Sequence, residues 1–342
     1  MIGVTIFGSG RMGAIYAAAL ASSAHARLVS VVNPNLSSAE RLVAQHGGVA
    51  LRDPDAALAD PSVDAVIITT PTDTHLEFIQ RAVSAGKAIL CEKPLDLSLD
   101  RVDACVDLIT ESDVAFMLGF NRRFDPGVGA LREAVDAGDV GKLNILMLTS
   151  RDPAPPPLSY IRTSGGYWAD STVHDIDLAC WIAGEQPVKV FATGSCLVDP
   201  GIGEAGDVDT SMTILKMPSG CLVHINNSRR AVYGFDQRIE AFGDAGMIQA
   251  ANLHEDNLLH WDSKRTKAKA PLEHFFLERY ARSFQLALEA FVLAVGENNP
   301  PTPTASDGHR ALAIALACED SRRRGCWVRP QYRDYGSAGI SK

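Results

Sequence analysis

The sequence predicts an α/β protein with two domains, a doubly wound parallel sheet followed by an α+β part with a mostly antiparallel sheet. The chain has 342 residues, more than a single domain usually holds. Up to about residue 120, short apolar runs alternate with helical patterns, which is typical of parallel strands joined by helices. Between about residues 140 and 260, one apolar run closely follows another, which favours antiparallel strands. We therefore expect one domain in residues 1–120 and a second in residues 121–342.

A glycine-rich turn joins the first predicted strand, residues 4–7, to the first predicted helix, residues 14–21. In the pattern GxGxxG, the first glycine allows a tight turn, the second lets the backbone approach a pyrophosphate, and the third lets the helix pack closely on the strand. The amides at the helix N-terminus then face the phosphates. This order of elements predicts a Rossmann-type dinucleotide site that includes Gly8, Gly10, Arg11, Met12 and Gly13.

The second predicted strand, residues 28–32, is followed by Asn33. About 20 residues beyond the glycine turn, such domains usually offer a carboxylate to the adenosine ribose. An asparagine can also hydrogen-bond a ribose hydroxyl, but it lacks the charge that repels the 2′-phosphate of NADP. No arginine follows at once to bind that phosphate. Asn33 therefore favours NAD as the cofactor and leaves NADP open.

Three more strands are predicted at residues 63–69, 88–91 and 114–118, with a helix at residues 73–84. Polar residues follow two of these strands, and ligands bind at the carboxyl ends of strands in parallel sheets. We expect cofactor contacts from Thr70, Pro71, His75 and Glu92.

Lys93 lies directly after the strand at residues 88–91 and before a proline. A cation placed so close to a buried strand is costly without a partner. Lys93 is therefore a candidate for chemistry, and the alternative is a surface lysine whose charged end reaches water.

Three motifs together resemble the Gfo/Idh/MocA oxidoreductase family: GSGRMG at 8–13, TTPTDTHLEF at 69–78 and CEKPLDLS at 91–98. The segments SGGYWADSTVHDIDLACWI at 164–182 and YGFDQRIEAFGDAGMI at 233–248 resemble its inositol 2-dehydrogenase branch, and the resemblance covers nearly the whole chain. It implies a Rossmann domain joined to an α/β domain with a large open sheet. It also implies a homotetramer that forms through the exposed face of that sheet.

The second half is rich in predicted strands, at residues 143–149, 188–197, 210–217, 220–227 and 238–243. One helix interrupts them, at residues 168–183. In a regular α-helix, residues four apart lie on the same face, so Asp170 and His174 can act on one substrate.

Oxidation of a secondary alcohol needs a base that takes the hydroxyl proton as hydride leaves the carbon, and His174 is our candidate for it. Asp170 would stabilise the imidazolium or bind a substrate hydroxyl, and the ammonium of Lys93 would polarise the reacting oxygen. The resemblance implies the same three residues as the catalytic set. Whether Lys93 or His174 takes the proton stays open. The alternatives are a helix cap for Asp170 and a surface histidine for His174.

Four residues are candidate substrate contacts. Asn121 and Arg122 offer hydrogen-bond donors to a substrate rich in hydroxyls, and ordinary salt bridging is the alternative for Arg122. The resemblance adds Asp152 and Tyr233. Phe235 stands where the inositol branch often has a tyrosine, so one hydroxyl is missing and the exact polyol is open.

The leading hypothesis is oxidation of a cyclic polyol, myo-inositol or scyllo-inositol, in a cleft between the two domains. One alternative is an aldose or sugar dehydrogenase of the same family that uses NADP. The other is a dinucleotide-sensing regulator that keeps the fold without the chemistry, because a fold alone does not prove a function.

Composition argues against several other classes of protein. The net charge of −9 gives no attraction for nucleic acid, and no apolar stretch reaches the roughly 20 residues of a membrane helix. Seven cysteines without a CxxC pair predict neither disulfides nor a metal site. The N-terminus lacks a basic leader, so we expect a cytoplasmic protein. Towards the C-terminus we expect helices at residues 275–294 and 305–324, and then a frayed polar tail at 336–342.

Overall fold

A computed structural model gives the fold of residues 1–335. The tail at residues 336–342 lies outside the described residues. The chain packs as two compact units. The first contains Met1–Phe124, Arg282–Leu312 and the described residues from Tyr332 on, and the second contains Asp125–Ala281 and Ala313–Gln331.

Six strands form the sheet of the first unit: β1 (Ile2–Phe7), β2 (Ala26–Val32), β3 (Val49–Leu51), β4 (Ala65–Ile68), β5 (Ala88–Cys91) and β6 (Phe116–Leu118). They pair in parallel in the order β3-β2-β1-β4-β5-β6. Strands β4 and β5 are fully buried, as expected of a sheet with helices on both faces. The strand order confirms the predicted doubly wound Rossmann sheet.

The helices of this part of the chain are α1 (Arg11–Ala21), α2 (Leu36–His46), α3 (Pro54–Leu58), α4 (His75–Ser84) and α5 (Leu99–Thr110). Short 3₁₀ turns cover Thr72–Thr74 and Asn121–Phe124. The predicted third strand, at residues 63–69, is in fact the fourth, because β3 precedes it. Strand β3 has only three residues at the edge of the sheet, and Val49 is 58% exposed. So short a segment carries no readable alternation of buried and exposed positions.

Six longer strands form the sheet of the second unit: β7 (Leu143–Arg151), β8 (Lys189–Ser195), β9 (Thr210–Lys216), β10 (Leu222–Ser228), β11 (Asp236–Gly243) and β12 (Met247–Ala250). Their order is β12-β11-β7-β10-β9-β8. Only β7 and β10 pair in parallel, and the other four pairs are antiparallel. The predicted mostly antiparallel sheet is therefore confirmed. A small hairpin follows, formed by β13 (Leu259–His260) and β14 (Ala268–Lys269).

The remaining helices are α6 (Pro126–Asp136), α7 (Leu158–Ile161), α8 (Val173–Ala183), α9 (Pro200–Glu204), α10 (Phe276–Arg279), α11 (Ala281–Glu297) and α12 (Ala305–Arg324). The bounds of α12 agree with the prediction. The prediction of a single helix at residues 275–294 is wrong. Two helices, α10 and α11, are separated at Tyr280, whose φ of −112° is not helical. Tyr280 is buried against Phe235, with ring centroids 5.9 Å apart, so tertiary packing overrides the helical pattern.

The two faces of the second sheet differ in burial. Along β9, Ser211, Thr213 and Leu215 are buried while the residues between them are exposed. The exposed side carries an apolar group that we call the open face, formed by Ile145, Met147, Met212, Ile214, Leu222, Phe242 and Met247. Helix α8 packs on the other side, against β7.

The segment that carries Asp170 and His174 starts as a π-helical turn, Trp168–Thr172, and continues as α8. The expectation of regular α-helical spacing throughout residues 168–183 is wrong for the five residues Trp168–Thr172. Hydrogen bonds fix the segment to β9 and β10: Trp168 Nε1 to Thr213 Oγ1 at 2.9 Å, Thr172 Oγ1 to Asn227 Oδ1 at 3.0 Å, and Asn227 Nδ2 to Asp175 Oδ2 at 2.7 Å. π-Turns occur often at functional sites.

Within residues 1–335, no helix has the length and apolar character needed to cross a membrane. The same residues contain no disulfide. They also contain no group of three or more histidine, cysteine, aspartate or glutamate side chains arranged to hold a metal ion.

Candidate active site

The glycine turn has the geometry that a dinucleotide needs. Gly8 has φ +100°, and a Cβ there would lie 2.8 Å from the carbonyl oxygen of Thr69. A Cβ on Gly13 would collide with the carbonyl oxygen of Gly8. A Cβ on Gly10 would meet no described atom within 4 Å. The first and third glycines are therefore required by the fold, and the second leaves space for a ligand to approach.

The N-terminus of α1 adds donors to this turn. Gly10 is the residue that precedes the helix, and no side chain caps its first amides. The first turn of α1 holds no acidic residue that would repel an anion. These amides, with Arg11 at the helix start, fit a pyrophosphate. The predicted contact of Met12 at the same turn stays a prediction.

Asn33 lies at the end of β2, where the ribose carboxylate is usual. Its Oδ1 accepts a hydrogen bond from the backbone N–H of Asn35 at 2.8 Å. This local turn orients the side chain, and it brings no negative charge to the end of the strand. The neutral amide therefore fits a ribose hydroxyl without the strong discrimination against NADP that a carboxylate gives.

His75 connects two loops of the first unit. Its ring lies between two carbonyl oxygens, with Nε2 3.0 Å from that of Thr70 and Nδ1 3.0 Å from that of Pro94. Burial lowers the pKa of His75, although both carbonyl contacts favour the charged ring. His75 is only 1% exposed. It thus connects the loops that follow β4 and β5, and its predicted cofactor contact, like those of Thr70 and Pro71, stays a prediction.

Glu92 and Lys93 follow β5 with different surroundings. Glu92 is buried, and its Oε1 accepts a hydrogen bond from the hydroxyl of Tyr16 at 2.8 Å. Burial raises the pKa of Glu92, and the bond from Tyr16 and the charge of Lys93 act in the opposite direction. Lys93 is half-buried. Glu92 thereby fixes the end of β5 to α1 and sets the position at which the backbone of Lys93 leaves the sheet.

Asn121 and Arg122 form a buried 3₁₀ turn after β6. Asn121 Nδ2 donates to Ser283 Oγ in α11 at 2.9 Å. This contact gives Asn121 a structural role inside the first unit. The predicted contacts of both residues with substrate stay predictions.

Asp170 is held by hydrogen bonds at both oxygens of its carboxylate. It is 8% exposed, and each of its carboxylate oxygens accepts a hydrogen bond. Tyr160 donates its hydroxyl to Oδ1 at 2.7 Å, and Arg229 donates Nη2 to Oδ2 at 3.2 Å. His174 lies four residues on, at the start of α8, and is half-buried. The expectation that Asp170 is a helix cap finds no support, because the π-turn begins before it.

Asp152 lies just beyond β7, beside the segment that contains Arg229. Its backbone N–H donates to Ser228 O at 2.9 Å, and its carbonyl accepts from Ala231 N at 2.7 Å. Burial raises the pKa of Tyr167, and the charge of Asp152 raises it further while Arg229 lowers it. The charges of Asp152 and Arg229 therefore both affect the hydroxyl of Tyr167. Arg229 is also the partner of Asp170.

Tyr233 is half-exposed and takes part in a polar network. Its hydroxyl donates to Asp236 Oδ2 at 2.8 Å and accepts from Arg151 Nη1 at 2.9 Å. Phe235 is buried and packs edge-on against Phe275, with ring centroids 6.0 Å apart. The hydroxyl that a tyrosine would bring at residue 235 would therefore enter an aromatic core.

Sequence reasoning missed Tyr160 and Arg229. Tyr160 lies in a four-residue helix that follows three prolines, and no motif marks it. Arg229 comes directly after β10 and beside Arg230. Two adjacent basic residues at the end of a strand are typical of a charged surface, so the sequence does not single out Arg229. The signal that identifies Arg229 is burial, which the sequence alone does not give.

The chain matches known families and proteins along most of its length. Residues 2–120 match a family described as oxidoreductases with an NAD-binding Rossmann fold, and residues 128–249 match the GFO/IDH/MocA C-terminal domain. An inositol 2-dehydrogenase of Rhizobium meliloti is 42% identical over 91% of this chain and 94% of its own. A myo-inositol 2-dehydrogenase of Thermotoga maritima is 43% identical over 93% and 95%. A crystal structure of Lactobacillus casei scyllo-inositol dehydrogenase with bound NAD(H) and scyllo-inositol has a TM-score of 0.89 at 28% identity, and the match covers 96% of this chain and 99% of that one.

The glycine turn generates a paired prediction. Gly10→Ala should change the melting temperature by only a few degrees, because its Cβ meets no atom of the described residues within 4 Å, but it should weaken NAD binding at least about tenfold by blocking the approach of the pyrophosphate. Gly13→Ala should lower both the melting temperature and the affinity for NAD, because its Cβ collides with the carbonyl oxygen of Gly8. Calorimetric NAD titration and thermal unfolding separate the two effects. Unchanged NAD affinity in Gly10→Ala would contradict this assignment of the site.

Proposed function

The chain belongs to the Gfo/Idh/MocA family of oxidoreductases, and from this premise we propose that it oxidises one hydroxyl of a cyclic polyol, myo-inositol or scyllo-inositol, with NAD as the acceptor. The observation that carries the proposal is the position of Asp170. A buried carboxylate held at both oxygens lies four residues before a histidine, in a chain 42% identical to an inositol 2-dehydrogenase.

In the proposed reaction, NAD held at the glycine turn would supply the acceptor for the hydride that leaves the carbon bearing the reacting hydroxyl. His174 takes the proton of that hydroxyl as the ketone forms. Lys93 polarises the oxygen, and Asp170 stabilises the imidazolium or holds a neighbouring hydroxyl. Lys93 remains the alternative proton acceptor.

Selectivity for a polyol requires several polar contacts with hydroxyls. We assign these to Asn121, Arg122, Asp152 and Tyr233. A pocket built around hydroxyl contacts rejects analogues that lack them, because its own polar groups are then unpaired. The aldose dehydrogenase and the non-catalytic sensor stay as the competing hypotheses, and the neutral Asn33 leaves open the NADP that the first would use. The cytoplasmic location also stays a prediction.

A substrate panel tests this function. The purified protein should reduce NAD with myo-inositol or scyllo-inositol, followed by nicotinamide absorbance, and should use NADP less well. Activity with aldoses alone, and with NADP, would favour the sugar dehydrogenase. Tight NAD binding without turnover of any inositol, hexose or pentose would favour the sensor.

The role of His174 gives a second test. His174→Ala should lower kcat by about 100- to 10,000-fold, the usual contribution of a general base, and leave the Kd of NAD within about twofold. The control is His260→Ala, which removes an exposed histidine of the same unit and should change neither quantity. A parallel loss of NAD affinity in His174→Ala would contradict its assignment as the base.

We further propose that the protein is a homotetramer assembled through the open face. Leu222 pairs across strands with Ile145, and Ile145 pairs with Phe242, so three exposed apolar side chains lie side by side. A contiguous apolar surface of this kind marks an interaction site on a protein.

Light scattering after size-exclusion chromatography should give the mass of four chains. Ile214→Glu, in the open face, should shift the protein to smaller species. Leu197→Glu is the matched control, because Leu197 is 75% exposed but lies outside the sheet. A monomeric parent protein, or equal behaviour of the two variants, would contradict the proposed interface.

A further inference from the structure

Arg229 is an arginine buried in the second unit. It is 1% exposed, and its backbone N–H donates to Asp209 O at 2.8 Å. Its guanidinium lies over the ring of Tyr167, 4.7 Å from the centroid, and donates to Asp170 at 3.2 Å. The main chain of Arg229 is therefore held by Asp209, and its guanidinium is held by the ring of Tyr167 and the carboxylate of Asp170.

The surroundings of Arg229 are acidic. The charges of Asp152, Asp175 and Asp209 all add to burial in raising the pKa of Tyr167, whereas Arg229 acts in the opposite direction. Asp170 accepts a hydrogen bond from the guanidinium and forms an ion pair with it. Arg229 thus lies beside an aromatic ring that feels several acidic side chains, and Asp170 is the carboxylate with which it forms an ion pair.

A guanidinium stays protonated inside a protein, so its burial is tolerated only with a counter-ion. Removing one member of a buried pair leaves the other uncompensated and is strongly destabilising. The planar fork of arginine also fixes the direction of the carboxylate it binds, which a lysine does less well.

We propose that Arg229 is a positioning residue for the reaction, which holds the Asp170 carboxylate in the orientation needed to assist His174. The inference rests on the proposed function, since it gives a role to a side chain that acts through Asp170. Arg229 fixes Oδ2 from the protein interior, while Oδ1 faces the hydroxyl of the half-exposed Tyr160. The carboxylate is thereby anchored on its buried side.

The second unit contains a matched control for Arg229. Arg279 is also buried, pairs with the buried Asp125, and lies 4.8 Å from the ring centroid of Tyr280. It therefore has the same side chain, a similar burial, an aspartate partner and a tyrosine neighbour. Neither Asp125 nor Tyr280 is a candidate catalytic residue, so Arg279→Met reports the stability cost of losing a buried arginine.

The experiment compares Arg229→Met, Arg229→Lys and Arg279→Met in kcat, KM, NAD affinity and melting temperature. Arg229→Met should lose about 100-fold in kcat, because displacement of a catalytic group by about 1 Å costs that much, and should keep its NAD affinity. Arg229→Lys should recover part of kcat. Arg279→Met should lose melting temperature but keep kcat within about twofold of the parent.

Chemical rescue separates charge from packing. Arg229→Ala should regain at least about tenfold in kcat with millimolar guanidinium, and urea, which has a similar shape without charge, should restore nothing. Arg279→Ala should show no rescue. Equal rescue by urea, or an equal loss of kcat in the two methionine variants, would overturn the positioning role.

A stability cycle keeps the inference testable if no polyol is turned over, an outcome that defeats the proposed function alone. Arg229→Met leaves the Asp170 carboxylate uncompensated, so adding Asp170→Asn should raise the melting temperature of that variant. If the losses of melting temperature of the two single variants simply add in the double variant, the two side chains are not coupled, and this would overturn the inference itself.

Discussion

Buried polar groups must find hydrogen-bond partners, and this requirement fixes the segment of the second unit that carries Asp170 and His174. Among the side chains that the π-turn and α8 bury, those of Trp168, Asp170, Thr172 and Asp175 each meet a partner on or just beyond the sheet. A shift of this segment by one residue would leave several of these groups unpaired, at about 1–3 kcal/mol for each. The same contacts that stabilise the fold therefore set the position of Asp170, and with it that of His174 on the following turn.

The first unit uses the same principle at the carboxyl ends of its strands. His75 connects the loops after β4 and β5, and Glu92 accepts the hydroxyl of Tyr16 from α1. Thr69 donates to the carbonyl oxygens of Phe7 and Gly8, at 2.9 and 3.1 Å, and so holds the glycine turn. These hydrogen bonds hold the loops after β4 and β5 and the turn that contains Gly8. The cofactor site is thus prepared by side chains that need not touch the cofactor themselves.

Much of the fold could be predicted because its signals are local. The glycine turn, the apolar runs of β1, β4 and β5, and the long helix α12 are each readable within a few residues. Strand β3 was missed because three edge residues carry no pattern, and the break at Tyr280 was missed because a distant aromatic ring causes it. The π-turn was read as α-helix, since sequence spacing does not reveal a change of helix type. Motifs and residue spacing suffice to propose Lys93, Asp170 and His174 as catalytic residues, whereas the proposal for Arg229 depends on burial that only the fold creates.

The central claim is that this chain transfers hydride from a polyol carbon to NAD. The most direct measurement uses myo-inositol and scyllo-inositol that carry deuterium on every carbon, with mass spectrometry of the recovered nicotinamide cofactor. Direct hydride transfer should give reduced NAD that carries a single deuterium, together with an inosose that has lost one. Reduced NAD without deuterium, or no reduced NAD with either inositol while the cofactor is bound, would contradict it.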